Sequence, residues 1–114
     1  MPRIYSMNFE VKTLPRFDKE IKRLAKKYPS FKTDFAQLLV EIRENPFSGI
    51  SLGNQSYKIR MAIASKNKGK SGGARVVYYI HIVNATTYLM AIFGKSEKEN
   101  IPERELLKLI QSIE

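Results

Sequence analysis

Four cations, Lys58, Arg60, Arg75 and Lys95, stand in or beside segments that alternate as β-strands, and three more, Lys66, Lys68 and Lys70, crowd the glycine-rich run between two of those segments. No Asp or Glu occurs anywhere from Asn45 to Ser96. Like charges so close repel one another, and a surface shaped by solubility alone would intersperse carboxylates. The missing counter-charge is a polyanion. Arginine, always protonated, suits the charge on a pentavalent phosphate, and a lysine crowded by other cations is biased toward the neutral amine that a general base needs. The chemistry these groups fit is attack of a ribose 2′-hydroxyl on the adjacent phosphate, which needs no metal and no cofactor. Lys58, Arg60, Arg75 and Lys95 are therefore the candidate catalytic residues. Lys66, Lys68 and Lys70 are the candidate RNA-binding residues, each phosphate contact weakening as salt rises; the plainer alternative is a basic loop that only keeps the chain soluble.

Within the same run, Ala64 to Ser71 (ASKNKGKS) fits a loose spelling of a nucleotide-binding P-loop. That loop requires a helix to start at its Gly-Lys-Ser, because the helix amides hold the phosphates. Here Ser71 is followed by Gly72, Gly73 and then the strand-forming ARVVYYIHI. A nucleotide hydrolase would also need a carboxylate on a neighbouring strand for magnesium, which the acid-free stretch does not supply. The P-loop reading loses on both counts. His81 alternates with Tyr79 and Val83 inside a strand and reads as a packed histidine. Tyr57, Tyr78, Tyr79 and Tyr88 offer rings for base stacking, but in central strands such rings form core.

The elements that must position these cations follow from periodicity and punctuation. Tyr5 to Lys12 alternates strictly, with Tyr5, Met7, Phe9 and Val11 on one side, as a half-buried strand does. Phe17, Ile21, Leu24, Ala25 and Tyr28, then Phe31, Phe35, Leu38, Leu39 and Ile42, fall at helical spacing on either side of Pro29, with Ser30 as N-cap and Pro46 as stop. Pro46 to Ser56 reads as a connecting loop. Tyr57, Ile59, Met61 and Ile63 face one way and Lys58 and Arg60 the other. Arg75 to Val83 and Thr87 to Lys95 form a hairpin of strands apolar on both faces, central in the sheet. Asn100 as N-cap and Glu103 as the other half of a capping box open a C-terminal helix with Leu106, Leu107, Ile110 and Ile113 on one face. The order β-α-α-β-β-β-α predicts an α+β fold with helices packed on an antiparallel sheet.

Residues 1–114 read as one domain. Apolar residues make up 43% and charged residues 27%, which argues against disorder. Twenty Lys and Arg against eleven Asp and Glu give a net charge of +9, which favours polyanionic partners. The absence of Cys excludes disulfides and thiolate chemistry, and a single His excludes a two-histidine ribonuclease centre. Neither a signal peptide nor a membrane span is legible, so a cytoplasmic location is expected.

The run YKIRMAIASKNKGKSGGARVVYY, with IFGKSEKENI beyond it, resembles the RelE/ParE superfamily of bacterial type II toxins, and in particular its HigB-type branch with a Gly-Lys-rich hairpin. The likeness extends to FDKEIKRLAKKYP, to ENPFSG and to the C-terminal helix. It implies a RelE-like mRNA interferase, an endoribonuclease that cleaves translated mRNA on the ribosome and is silenced by a cognate antitoxin protein. By position, Lys58 and Arg60 match the family's basic pair, Arg75 the arginine that opens the next strand, and Lys95 the lysine after the last one. Ser96 and Ile101 stand where some relatives carry an arginine and a tyrosine, so the resemblance supplies no general acid. The alternatives are a DNA gyrase poison of the ParE kind and a catalytically silent RNA- or antitoxin-binding homologue.

Overall fold

The computed structural model describes residues 9–66, 72–95, 97 and 100–113. A short first strand, β1 (Glu10–Thr13), leads into α1 (Pro15–Lys27) and α2 (Phe31–Glu44). Next come β2 (Ile50–Gly53), β3 (Ser56–Met61), a 3₁₀ turn (Ala64–Lys66), β4 (Ala74–His81), β5 (Thr86–Gly94) and α3 (Glu103–Ile113). The expected α+β class and its three helices hold. The expected strand from Tyr5 is described only from Phe9 onward.

Proline punctuates the helices as the sequence indicates. Pro15 occupies the first turn of α1, where its missing N–H costs nothing, and Asp18 in the first turn and Lys26 and Lys27 in the last complement the helix dipole. Ser30 precedes α2 but makes no side-chain cap; its hydroxyl donates to Asp34 Oδ2 at 2.7 Å instead. The capping box expected at Asn100 is displaced as well. α3 starts at Glu103, with the amide of Leu106 bonded to Pro102 O at 3.0 Å, so Pro102 holds the cap position.

The five strands run in the order β1-β5-β4-β3-β2. Four are antiparallel neighbours, as expected, while β1 lies parallel to β5 with Val11 opposite Thr87, so the sheet is mixed. The segment expected to be wholly loop contains β2, a four-residue edge strand. It joins β3 through a tight turn in which Gly53, Asn54 and Gln55 all take positive φ.

Strand alternation divides the core in two. Ile59, Met61, Ala74, Val76, Tyr78, Ile80, Leu89 and Ile92 pack with Phe17, Leu24, Phe31, Leu38 and Ile42 of α1 and α2. On the other face Val77, Tyr79, Met90, Ala91 and Phe93 pack with Leu106 and Ile110 of α3. A bulge makes both possible: Val77 opposes Ala91 and Tyr78 opposes Leu89, leaving Met90 as the extra residue that resets the alternation of β5.

Candidate functional site

The cations that the sequence singles out are gathered by register. Arg60 on β3 lies directly opposite Arg75 on β4, and Lys58 sits two residues along the same face of β3, opposite Val77. On the far side Arg75 opposes Phe93 of β5, and the ladder continues through Lys95, whose amide donates to Gly73 O at 3.0 Å. Lys58, Arg60 and Arg75 thus share the α3 face, with Lys95 at the same end of the sheet.

Their exposures differ. Arg60 and Lys95 are exposed and Lys58 is half-buried, but Arg75 is only 1% exposed, among the largest wholly enclosed side chains of the protein. One of its guanidinium nitrogens donates to Ala74 O at 3.2 Å. In this conformation Lys58, Arg60 and Lys95 are the cations that a phosphate can touch, and Arg75 contributes charge from beneath them. Arg75 is enclosed because β4 is the central strand and its face is covered by the residues around it.

Glycines and one tyrosine set the backbone that carries Lys58. A Cβ on Gly49 would stand 2.7 Å from the Tyr78 hydroxyl and 2.9 Å from Lys58 O, so only glycine lets this segment close onto β3. The Tyr78 hydroxyl donates to Pro46 O at 2.9 Å and accepts from Gly49 N–H at 3.1 Å, and burial pushes its pKa up to about 12. Lys58 Nζ donates to Asn100 Oδ1, which joins the candidate base to the segment that leads into α3.

The turn bearing Lys95 is bolted to α1. Glu97 Oε1 accepts from Gly94 N–H at 3.0 Å and from Arg23 Nη2 at 2.9 Å, and Arg23 also reaches Glu20 at 2.9 Å. The Arg23 guanidinium, with help from the Gly94 amide, holds the Glu97 carboxyl below the usual carboxylate range.

The acid-free stretch of sequence is not free of acid in space. Lys58 and Arg60 border an open cleft of about 300 Å³ that Glu41 of α2 also lines, together with Ser48 and Gly49. A second cleft of about 190 Å³ on the α2 side counts Asp34, Gln37, Glu41 and Arg60 among its lining residues. Glu41 lies just before the acid-free segment, and its position three residues beyond Leu38 on α2 is the signal that places it there.

Lys66 does not join the α3 face. It ends the 3₁₀ turn with its Nζ 5.3 Å from the centre of the Tyr28 ring, on the side of α1 and α2. Lys68, Lys70 and Ser96 lie outside the described residues. His81 is half-buried, its Nδ1 accepting from Asn84 N–H at 3.2 Å and its ring edge-on to Tyr79, as a packed histidine should be. Tyr78 and Tyr79 are buried, and Tyr57 is stacked on Tyr78 at 5.6 Å, so these three rings serve the core. Among the described residues, no helix is long and apolar enough to cross a membrane.

Comparison with known proteins yields a family and a fold. A family model described as the RelE toxin of the RelE/RelB toxin-antitoxin system matches residues 17–113. The isolated E. coli RelE toxin is similar in structure, with a TM-score of 0.59 and 21% identity over 90% of this chain and 98% of that one. RelE in the intact E. coli RelBE toxin-antitoxin complex gives 0.57 and 20% identity over 74% of this chain and 93% of that one. A mutant E. coli RelE bound to an antitoxin RelBc peptide gives 0.58 and 19% identity over 84% and 100%.

Proposed function

The chain belongs to the RelE toxin family, and on that premise we propose that it is the toxin of a type II pair, a ribosome-dependent endoribonuclease that cuts translated mRNA in the cytoplasm and so stops translation. The Gly-Lys-rich segment before β4 supports the HigB-type branch within the family. The observation that carries the reading is the register of β3 and β4: Arg60 faces Arg75 across the ladder, with Lys58 beside them and Lys95 at the same end. Two arginines directly opposite one another are unfavourable in an empty protein. A phosphodiester bound over them supplies the opposite charge.

The reacting groups are side chains of this chain and the 2′-hydroxyl of the RNA. Lys58, its Nζ oriented by the hydrogen bond to Asn100 Oδ1, takes the proton of the ribose 2′-hydroxyl as that oxygen attacks phosphorus. Arg60 binds the non-bridging oxygens as their charge grows, with the enclosed Arg75 adding to the field. The bond to O5′ breaks, and Lys95 donates a proton to the departing oxygen. The products are a 2′,3′-cyclic phosphate and a free 5′-hydroxyl. A cognate antitoxin silences the toxin by laying an acidic segment on the same cations.

Induced expression of the wild type beside a Lys58, Arg60, Lys95 triple-alanine variant, with RNA ends mapped in both, tests the reading. New 5′-hydroxyl ends within translated codons are expected for the wild type alone. DNA breaks with intact mRNA would instead identify a gyrase poison of the ParE kind, and unhindered growth a silent homologue. An exposed charge reversal, Arg60→Glu, should weaken co-purification with the antitoxin; unchanged co-purification would place the antitoxin elsewhere.

A further inference from the structure

The buried stripe of α2 is Phe31, Asp34, Leu38 and Ile42. Three of these are ordinary core residues, while Asp34 is a carboxylate 9% exposed in the same row. A helix selected only for packing would carry an apolar side chain there, since a buried charge is costly unless it is hydrogen-bonded. Asp34 Oδ2 accepts from Ser30 Oγ at 2.7 Å and from Ala64 N–H at 3.0 Å, so one oxygen ties the α1–α2 junction to the chain leaving β3. Ser30 Oγ also accepts from Ser65 N–H at 2.8 Å, and the two serine hydroxyls stand 2.9 Å apart. The amide of Lys66 closes the 3₁₀ turn onto Ile63 O at 2.9 Å.

The product of this anchor is the place of Lys66. Its Nζ lies 5.3 Å from the centre of the Tyr28 ring, and Lys27 Nζ lies 5.4 Å from the same centre. One ring thus carries two cation contacts, from α1 and from the 3₁₀ turn. The acids that face them do not cancel that charge at the surface: Asp34 is engaged by the amide and the hydroxyl, and Glu97, which feels Lys27, is paired with Arg23. The pair is therefore held open for an anion. Fixing the main chain on both sides of Ser65 removes most of the ordering cost that a lysine in a free loop would meet on binding.

We propose that Asp34 and Ser30 are positioning residues that hold Lys66 against the Tyr28 ring that Lys27 also contacts, and so carry the phosphate-binding surface round the end of the sheet from the α3 face to the α1–α2 junction. The inference rests on the reading of the chain as an RNA-binding toxin. It adds a contact for the RNA backbone away from the reacting phosphate, so it acts on affinity and leaves the chemical step alone.

The test is binding of the purified full chain to a short single-stranded RNA oligonucleotide across a salt series, with cleavage of mRNA on programmed ribosomes at saturating substrate measured in parallel. Asp34→Ala should weaken binding roughly three- to tenfold and make the salt dependence shallower by about 0.7 in slope, the value for one phosphate contact to a single strand, with kcat unchanged. Lys66→Ala should weaken binding and flatten the slope to the same extent, and the Asp34→Ala, Lys66→Ala double variant should be no worse than either alone. Lys27→Ala, which does not depend on the anchor, should add to Asp34→Ala. Asp34→Asn keeps a carbonyl acceptor for Ala64 N–H and should retain wild-type binding, and Ser30→Ala provides a milder break should Asp34→Ala fold poorly. Lowered thermal stability with affinity and slope unmoved would make Asp34 merely structural and overturn the proposal, as would additive effects of Asp34 and Lys66. A Lys66→Ala variant that binds normally, while Lys58→Ala, Arg60→Ala loses binding, also overturns it and leaves the nuclease reading intact. Wild-type binding by both sets would sink the RNA reading as well.

Discussion

Strand β4 presents two faces that solve the same packing problem differently. Toward α1 and α2 it offers Ala74, Val76, Tyr78 and Ile80, all buried in a core built from two helices. Toward α3 it offers Arg75, Val77, Tyr79 and His81, under a single 11-residue helix. The first face holds the fold together. The second is covered by less protein, keeps a guanidinium inside it and has exposed cations at its margin, which is the arrangement a binding surface needs. Dense packing and the exposed strand cations are divided between opposite sides of the same few residues.

That division is open to attack in decreasing order of effect. Phe31→Ala, wholly buried on the two-helix face, should cost about 3–5 kcal/mol, against about 2 kcal/mol for Leu106→Ala on the α3 face, both read by urea unfolding. Equal losses would erase the distinction. Arg75→Ala should cost about 2–3 kcal/mol, whereas Arg75→Met, which refills most of the volume without charge, should stay within about 1.5 kcal/mol of wild type yet lose RNA cleavage. A methionine variant that unfolds would show the arginine to be a structural staple.

Smaller effects sharpen the picture of how each face treats polar atoms. Tyr78→Phe strips Gly49 N–H and Pro46 O of their partner and should cost about 1–2 kcal/mol in thermal unfolding. Thr87, opposite Ile80 on the two-helix face, has a hydroxyl with no hydrogen-bond partner among the described residues, so Thr87→Val should gain about 1 kcal/mol. The smallest effect concerns acid. Because Arg23 lowers the Glu97 pKa, the ionised carboxylate stabilises the fold at neutral pH, and that contribution fades as pH falls through the ordinary carboxylate range to the lowered folded value. Both side chains are exposed, so Glu97→Gln should only slightly flatten the fall in Tm between about pH 6 and about pH 3.

Helices, hairpin and the shared face of Lys58 and Arg60 are legible in the sequence because they depend on local spacing. α1 and α2 are bracketed by Pro15, Pro29 and Pro46, and the alternation from Tyr57 fixes which way each cation points. β2 escapes such reading: Ile50, Ser51 and Gly53 are exposed, and a strand that buries nearly nothing leaves no pattern. The parallel pairing of β1 is equally silent, since its partner lies at the other end of the chain. Arg75 reads as a strand cation like Arg60 until the sheet is assembled, when β4 proves central and β3 lies near the edge. The links from Lys66 to Tyr28 and from Asn100 to Lys58 join residues far apart in sequence, and nothing local announces them.

The pairing of β1 with β5 has a consequence for how the molecule comes into being. The strand synthesised first can find its partner only after the strand synthesised nearly last, so closure of the sheet waits on contacts that span most of the chain and are slow to form. A nascent chain that halts before Thr86 therefore leaves its first strand unpaired and β4 with one bare edge. Such a fragment lacks the strand that flanks Arg75 and is a target for proteolysis.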